Sequence, residues 1–219
     1  MQHRSRSVLN RFLMAVAVMT VAACQGPAAG SEDPSESAPR EPTADAGRRY
    51  STQAFDPALD VTAAQWLSPA PDEDEPTFLT WLGEGTDVDR AVRFLVPVTL
   101  YAPGTTAETV PPDDYLAYLR TQAQHGARLA DETTITIDGQ VAAILTATTS
   151  QALDGSLGCP AAGIPAVDCF GLQPELALRL AVIDTGDTTL LAWARGIEGT
   201  ENAEEFADFE RMLSGLTFR

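Results

Sequence analysis

The sequence predicts an α+β fold in which an antiparallel sheet of about six strands is covered by two main helices. Three observations lead to this prediction. Apolar residues alternate with a period of two in several segments between residues 77 and 197. Two pairs of these segments are joined by short sequences typical of hairpin turns. Only two segments, near residues 112–127 and 200–216, show the three-to-four-residue spacing of an amphipathic helix.

The first two predicted strands are "TFLTWL" (77–82) and "RAVRFLVPVTLY" (90–101), which are rich in β-branched and aromatic residues. Pro97 has no N–H to donate to a neighbouring strand, so we expect the second strand to be bulged or to lie at a sheet edge. Residues 57–75 are interpreted as an N-terminal arm followed by a solvated acidic loop, "PAPDEDEP". This loop could hold calcium loosely through oxygen ligands, but it lacks the spaced acids and glycine of an EF-hand.

A helix is predicted next, because four apolar residues recur three or four positions apart: Leu116, Leu119, Ala123 and Ala127. Gly126 lies near its expected end. Two hairpins follow. Alternating segments flank Asp138-Gly139, a pair that favours a type I′ turn. A second pair of alternating segments, 175–184 and 188–195, is joined by the turn residues 185–187.

The final segment, "TENAEEFADFERMLSGLTFR" (200–219), predicts the second helix. Its apolar residues form one helical stripe, made of Phe206, Phe209, Leu213 and Leu216. Acidic residues occupy the first turn and Gly215 is placed to end the helix. We expect a short last strand at residues 216–218.

The N-terminus predicts a secretion signal rather than a membrane span. Three arginines precede an apolar run of 12 residues, Phe12–Ala23, whereas a spanning helix needs about 20. The run ends in "VAAC" (21–24), which resembles the lipobox of bacterial lipoproteins. That resemblance implies a signal peptide over residues 1–23, a diacylglyceryl group on the sulfur of Cys24, and attachment at the outer face of the cytoplasmic membrane. The alternative is an ordinary A-x-A cleavage site.

Composition excludes one class of partner and divides the remaining chain. All 14 basic residues are arginine, and with 31 acidic residues the formal charge is −17, or −20 once residues 1–23 are removed. Such a chain is repelled by phosphate backbones, so we expect no nucleic-acid partner. Residues 24–54 are rich in proline and small polar residues and predict a disordered tether with a reach of about 30 Å. Residues 55–219 suit a single α+β domain.

Cys159 and Cys169 remain as a pair once Cys24 carries the lipid. Outside the cytoplasm the environment is oxidising, and the loop between them contains prolines and glycines that allow its ends to meet. The sequence therefore predicts a structural disulfide. A redox pair would favour C-x-x-C spacing, which is absent.

The order of elements, together with the lipobox, the Asp-Gly hairpin and the terminal "FERMLSGLTF", resembles actinobacterial cell-envelope lipoproteins with a PsbP/Mog1-like domain. The resemblance covers about residues 75–219. It implies an antiparallel sheet covered by helices, and a protein that acts through partners without established catalysis. The cysteine loop and the N-terminal arm are not part of the family pattern.

Candidate catalytic and metal-binding residues are few. His125 is the only histidine after the signal peptide, and Ser156 does not lie in a G-x-S-x-G motif. One histidine and two cysteines do not make the usual zinc ligand set, and phosphate-binding glycine patterns are absent, so we expect no metal and no cofactor. A hydrolase of unrecognised type, using Ser156 or His125, is kept as an alternative.

The leading hypothesis is a lipid-anchored, non-catalytic module that binds a protein or ligand of the cell envelope. Trp193 beside Arg195 on a late strand is the first candidate for its binding surface. A carrier of a lipid or other apolar ligand is the alternative, and it predicts a cavity between sheet and helices lined by residues such as Phe94, Leu119 and Phe206.

Overall fold

The computed structural model describes residues 47–85 and 87–219. The predicted signal peptide, Cys24 and most of the predicted tether lie outside these residues. The two helices are α1 (Tyr115–Thr121) and α2 (Ala203–Ser214), and single 3-10 turns span Gln122–His125 and Ala166–Asp168. Within the described part of the chain, no helix has both the length and the apolar character needed to cross a membrane.

The strands are β1 (Arg48–Ser51), β2 (Leu59–Ala63), β3 (Glu73–Asp74), β4 (Phe78–Gly83), β5 (Asp87–Leu95), β6 (Leu100–Tyr101), β7 (Glu108–Thr109), β8 (Ala127–Ile137), β9 (Gln140–Thr149), β10 (Leu153–Gly158), β11 (Phe170–Leu172), β12 (Leu176–Asp184), β13 (Thr189–Ile197) and β14 (Thr217–Phe218). A central sheet of seven strands has the order β3-β4-β5-β13-β12-β9-β8, and every neighbouring pair is antiparallel. Three smaller sheets, β1-β2-β14, β10-β11 and β6-β7, accompany it.

The central sheet is buried on both faces because its middle strands alternate two apolar sets. Val92 and Phe94 of β5 belong to a core that includes residues of β2 and α2. Leu95 of β5 and Trp193 of β13 belong to a second core, which includes residues of α1, β10 and β11. The molecule therefore has three layers, with the sheet in the middle.

The predicted antiparallel sheet with two main helices is confirmed in outline. The sheet has seven strands instead of about six, and the helices have only 7 and 12 residues. We expected helices to cover the faces of the central sheet. Much of that surface is covered instead by the sheet β1-β2-β14 and the ribbon β10-β11. The fold is accordingly richer in β-structure than expected.

The two predicted hairpins are confirmed. β8 and β9 meet at Asp138-Gly139, where both residues have positive φ (46° and 82°), as a type I′ turn requires. β12 and β13 pair in continuous register from Leu176↔Ile197 to Asp184↔Thr189. The short last strand is also present, as β14, which pairs with β2.

The strand predicted to contain Pro97 does not lie at a sheet edge, and Pro97 is not part of it. β5 is central, between β4 and β13, and it ends at Leu95, two residues before the proline. The missing N–H of Pro97 is therefore not needed by the sheet. β5 does carry an irregularity, but at its other end, where the register shifts between the pairs Leu82↔Ala91 and Gly83↔Asp87.

The first helix is shorter than predicted, and its buried face differs. Asp114 caps it by accepting a hydrogen bond from the Ala117 N–H at 2.9 Å, and the chain leaves the 3-10 turn at Gly126 with φ of 95°. The buried residues of the helix and turn are Tyr115, Leu119 and Gln122, whereas Ala123 is exposed. In α2 the buried residues are Phe209, Met212 and Leu213.

The predicted boundary at residue 55 is wrong, because the folded part begins earlier. β1 pairs with β2 from Arg48↔Ala63 to Ser51↔Asp60. Tyr50 packs edge-on against Trp81, with ring centroids 5.6 Å apart. A composition rich in small polar residues concealed this strand, whose stability comes from long-range pairing.

The acidic run is also not simply a solvated loop. Glu73 and Asp74 form β3, and the carboxylate of Asp74 accepts four hydrogen bonds. One oxygen accepts the Tyr50 hydroxyl (2.8 Å) and the Gln53 N–H (2.7 Å); the other accepts the N–H groups of Ala54 (3.2 Å) and Phe55 (2.9 Å). Burial alone would raise the pKa of Asp74, but these hydrogen bonds outweigh it and lower the pKa. The carboxylate thus fastens the N-terminal segment to the sheet.

The far edge of the sheet is irregular. The pairing of β8 with β9 shifts register between Ala130 and Thr133, and Asp131 within the shift has φ of 52°. Arg179 of β12 donates to the carbonyl oxygen of Asp131 at 3.0 Å. This bulge interrupts the outer row of β8 backbone groups.

We expect Asp74→Asn to lower the free energy of unfolding by about 1–3 kcal/mol, because an amide accepts through one oxygen only and leaves backbone N–H groups unpaired. The folded-state pKa is depressed, so the stabilisation is present above the unfolded pKa of about 3.9 and is lost as pH falls through the folded pKa. Urea unfolding of wild type and variant at pH 7 and pH 3 measures both effects. Glu75→Gln, at an exposed carboxylate, is the control and should change little. Equal stability of the two variants would contradict the assigned role.

Candidate functional site

The two cysteines of the sequence loop form the predicted disulfide. Cys159 and Cys169 are bonded, with 4.6 Å between their Cα atoms. Cys159 follows β10 and Cys169 precedes β11, so the bond closes the end of this ribbon. Cys159 is fully buried, and its N–H donates to the Thr99 carbonyl at 2.7 Å, which fixes the ribbon to the chain after β5.

The disulfide determines the position of Phe170, the residue after Cys169. The Phe170 ring meets the ring of Trp193 nearly edge-on, with centroids 5.4 Å apart, and lies 6.1 Å from that of Phe78. The guanidinium carbon of Arg93 lies 5.5 Å from the Phe170 centroid, over the ring. Phe170 therefore covers Trp193 and contacts Arg93 in a cation–π arrangement.

A small pocket of about 120 Å³ opens beside Phe170. In the sheet register Arg93 lies opposite Trp193, and Ala91 lies opposite Arg195. Arg93 and Arg195 are therefore diagonal neighbours on the same face of the sheet. The pocket is lined mainly by Arg93, Phe170, Gln173, Leu178, Trp193 and Arg195.

Two arginines, Arg93 and Arg195, line the pocket, although the chain as a whole is acidic. Burial, together with the positive charge of Arg195, lowers the pKa of Arg93 to about 10, and the charge of Glu73 opposes this shift. None of the Arg93 N–H groups has a hydrogen-bond partner among the described residues, and its Nε is buried. Arg195 is half-buried and makes a further interaction of its own. Two cations therefore lie side by side, and one of them has unused donors.

The predicted binding residues Trp193 and Arg195 both line this pocket, but Trp193 does so from within. Its exposed fraction is only 2%, because Phe170 covers it, so it contributes a wall rather than open surface. The sequence reasoning missed Arg93 and Phe170. Because residues alternate between the two faces of a strand, placing Val92 and Phe94 on one face places Arg93 on the other. The sequence alone could therefore have separated Arg93 from those two core residues.

The residues proposed for a hydrolase do not form a site. Ser156 is fully buried, and its hydroxyl accepts a hydrogen bond from the Leu172 N–H at 3.5 Å. His125 lies in the 3-10 turn after α1, where its carbonyl oxygen accepts from the Gln151 side chain at 2.6 Å. No contact between Ser156 and His125 is found in the described part of the chain. Over the same residues, no group of three or more His, Cys, Asp or Glu side chains is arranged to hold a metal ion.

The lining predicted for an apolar cavity is wrong. Phe94 is buried in the core between the sheet and α2, whereas Leu119 is buried in the core on the opposite face. Phe206 packs against the first of these cores. The central sheet separates Phe94 and Phe206 from Leu119, so the three residues cannot surround one ligand.

We expect Cys159→Ala combined with Cys169→Ala to lower the free energy of unfolding by about 2–4 kcal/mol, because closing the loop removes entropy from the unfolded chain. Thermal and urea unfolding measure the loss. The bond itself is checked by denaturing the protein in iodoacetamide with and without prior reduction. Neither cysteine should be alkylated before reduction; alkylation of both in envelope-derived protein would show that the disulfide is absent.

Comparison with known proteins places the chain in no established family. No protein-family profile matches it, and no curated protein matches it significantly in sequence. The chain is similar to the solution structure of cyanobacterial PsbP (CyanoP) from Synechocystis sp. PCC 6803, with a TM-score of 0.43 and 11% identity over 80% of this chain and 93% of that one. It is also similar to a Pseudomonas aeruginosa protein of unknown function, with a TM-score of 0.39 and 14% identity over 79% of this chain and 99% of that one. Because both TM-scores are below 0.5, membership of the PsbP/Mog1-like fold stays a prediction.

Proposed function

We propose that the protein is a lipid-anchored module of the bacterial cell envelope that catalyses nothing and binds an envelope component through the pocket at Arg93 and Arg195. The observation that carries this proposal is the pocket itself, with two neighbouring guanidinium groups and two aromatic walls. Convergent polar groups in a concave, partly apolar site are the usual mark of ligand recognition. A PsbP/Mog1-like domain of the actinobacterial type is part of the same proposal.

The proposed location outside the cytoplasm is supported by two independent features. The first is the lipobox-like "VAAC" that ends at Cys24. The second is the bond between Cys159 and Cys169, because structural disulfides persist in oxidising compartments and are rare in the cytosol. Two acyl chains on Cys24 would give stable anchoring, whereas one chain gives only marginal binding.

The side chains that line the pocket support binding rather than catalysis. Its charged groups are both guanidiniums, which stay protonated near neutral pH and are poor general acids or bases. The Phe170 ring lies against the Arg93 guanidinium, and the Gln173 side-chain amide donates a hydrogen bond to Asp154 at 2.7 Å. Such a set can position an anionic group without transforming it. The apolar carrier lacks the lining predicted for it, because the central sheet separates Phe94 from Leu119. The hydrolase lacks a contact between Ser156 and His125 among the described residues.

The anchor is tested with Cys24→Ser. We expect this variant to lose the lipid, to remain uncleaved or to be cut at a different bond, and to leave the detergent phase in Triton X-114 partitioning. Mass spectrometry of the mature N-terminus identifies the cleavage. A variant that is still cut before residue 24 and still partitions into detergent would contradict the anchor.

The binding role is tested by photo-crosslinking in intact cells. A photoreactive residue in place of Gln173, at the pocket, should give a discrete adduct, whereas one in place of the exposed Gln124 should not. The adduct should disappear with Arg93→Met and persist with Arg128→Met, which removes an exposed arginine elsewhere. Adducts that do not depend on Arg93 would argue against this pocket as the binding site.

A further inference from the structure

The buried Arg179 and the half-buried Arg93 of the central sheet differ sharply in how many hydrogen bonds their guanidinium groups make. Arg179, only 7% exposed, pairs with Glu210 at 2.8 Å and donates to the Asp131 carbonyl and the Thr146 hydroxyl at 3.0 and 3.1 Å. Arg93 makes no hydrogen bond to any described residue, although its Nε is buried. Buried cations in folded proteins are normally paired, because desolvation without a partner is unfavourable.

The described residues around Arg93 do not supply that missing partner. Thr80 lies opposite Arg93 on β4, but its buried hydroxyl has no hydrogen-bond partner either. Glu73 acts on Arg93 only through its charge, and Arg195 on the other side is a like charge. The Phe170 ring gives a cation–π contact, which fixes the guanidinium but leaves its N–H groups unused.

We propose that the pocket is an oxyanion site, in which the guanidinium of Arg93 binds one carboxylate or phosphate group of an envelope component and Arg195 adds a second positive charge. This inference rests on the proposed binding function and names the chemistry of its ligand. A guanidinium presents two parallel N–H groups that match two oxygens of a carboxylate or phosphate. The aromatic walls exclude water from one side of the contact and so strengthen it.

The size of the pocket limits what enters it. Its volume of about 120 Å³ is well below the roughly 300–1,000 Å³ of sites that enclose a whole small molecule. The pocket therefore admits the terminal anionic group of a larger molecule, whose remaining part stays outside. The formal charge of the chain, −17, repels free anions at long range, so the attraction is confined to this pocket.

The site is tested by ligand-dependent thermal unfolding of the full chain purified in detergent, at constant ionic strength. Inorganic phosphate and acetate, each at 10 mM, are compared with chloride. We expect at least one of the two oxyanions to raise the Tm of wild type by about 2–5 °C, as mass action requires for millimolar affinity. Flotation of the Cys24→Ser chain, with and without Arg93→Met, on vesicles of phosphatidylglycerol and of phosphatidylcholine then identifies the source. Flotation that depends on Arg93 indicates a phospholipid headgroup, and flotation that does not depend on it indicates a soluble or protein-borne oxyanion.

Three variants decide the assignment. Arg93→Met should abolish the oxyanion shift, while its Tm without oxyanion should equal or exceed that of wild type because a desolvated charge is removed. Arg93→Lys keeps the positive charge but loses the two parallel N–H groups of the guanidinium, and it should weaken oxyanion binding about tenfold or more. Arg128→Met should shift as wild type does.

An equal shift in wild type and Arg93→Met, or no shift with either oxyanion, would overturn the inference. If crosslinking at Gln173 still depends on Arg93 in that case, the binding function stands and only the ligand chemistry is wrong. If neither the oxyanion-dependent Tm shift nor the Arg93-dependent crosslink is observed, this pocket is neither the binding site nor an oxyanion site.

Discussion

The two-sided burial of the central strands is the constraint on which the rest of the structure depends. β5, β12 and β13 place one apolar set on each face, so neither face can be left open to water. One face is closed by α2 and the sheet β1-β2-β14, and the other by α1 and the ribbon β10-β11. The covering elements are short, and several of them gain their stability from contact with the sheet rather than from their own propensity.

Two local devices hold those short elements in place. On one face, the carboxylate of Asp74 collects four hydrogen bonds and fastens residues 50–55. On the other face, the bond between Cys159 and Cys169 closes the ribbon and directs Phe170 onto Trp193. The pocket depends on the second device, because Phe170 is both its wall and the ring that contacts Arg93. The packing of the ribbon and the shape of the pocket are therefore linked through one residue.

The sequence predicted those features that local pattern determines. The hairpins at Asp138-Gly139 and at 185–187, the two helices and the disulfide follow from turn chemistry, periodicity and cysteine count. The short strands did not follow, because β1, β3 and β14 exist only through pairing with distant segments and have no pattern of their own. The buried face of α1 was misplaced for a related reason. Tyr115 and Gln122 are buried because β10 lies beside them: the Tyr115 hydroxyl donates to the Leu157 carbonyl, and the Gln122 amide donates to the Ser156 carbonyl. Two of the pocket residues, Trp193 and Arg195, were predicted from their residue type. Arg93 and Phe170 were not, because strand register and the disulfide bring them to the pocket.

The edges of the central sheet would matter if the protein is anchored to a membrane as proposed, because anchoring raises its local concentration. An open edge strand is a template for pairing with another copy, and confinement to two dimensions would favour such encounters. One edge here is β3, which has two residues, both acidic, so two copies would repel each other. The other edge is β8, where the bulge at Asp131 interrupts the row of backbone groups and the Asp131 carbonyl oxygen accepts a hydrogen bond from Arg179. Within the described residues, both edges of the central sheet are therefore poor templates for edge-to-edge pairing.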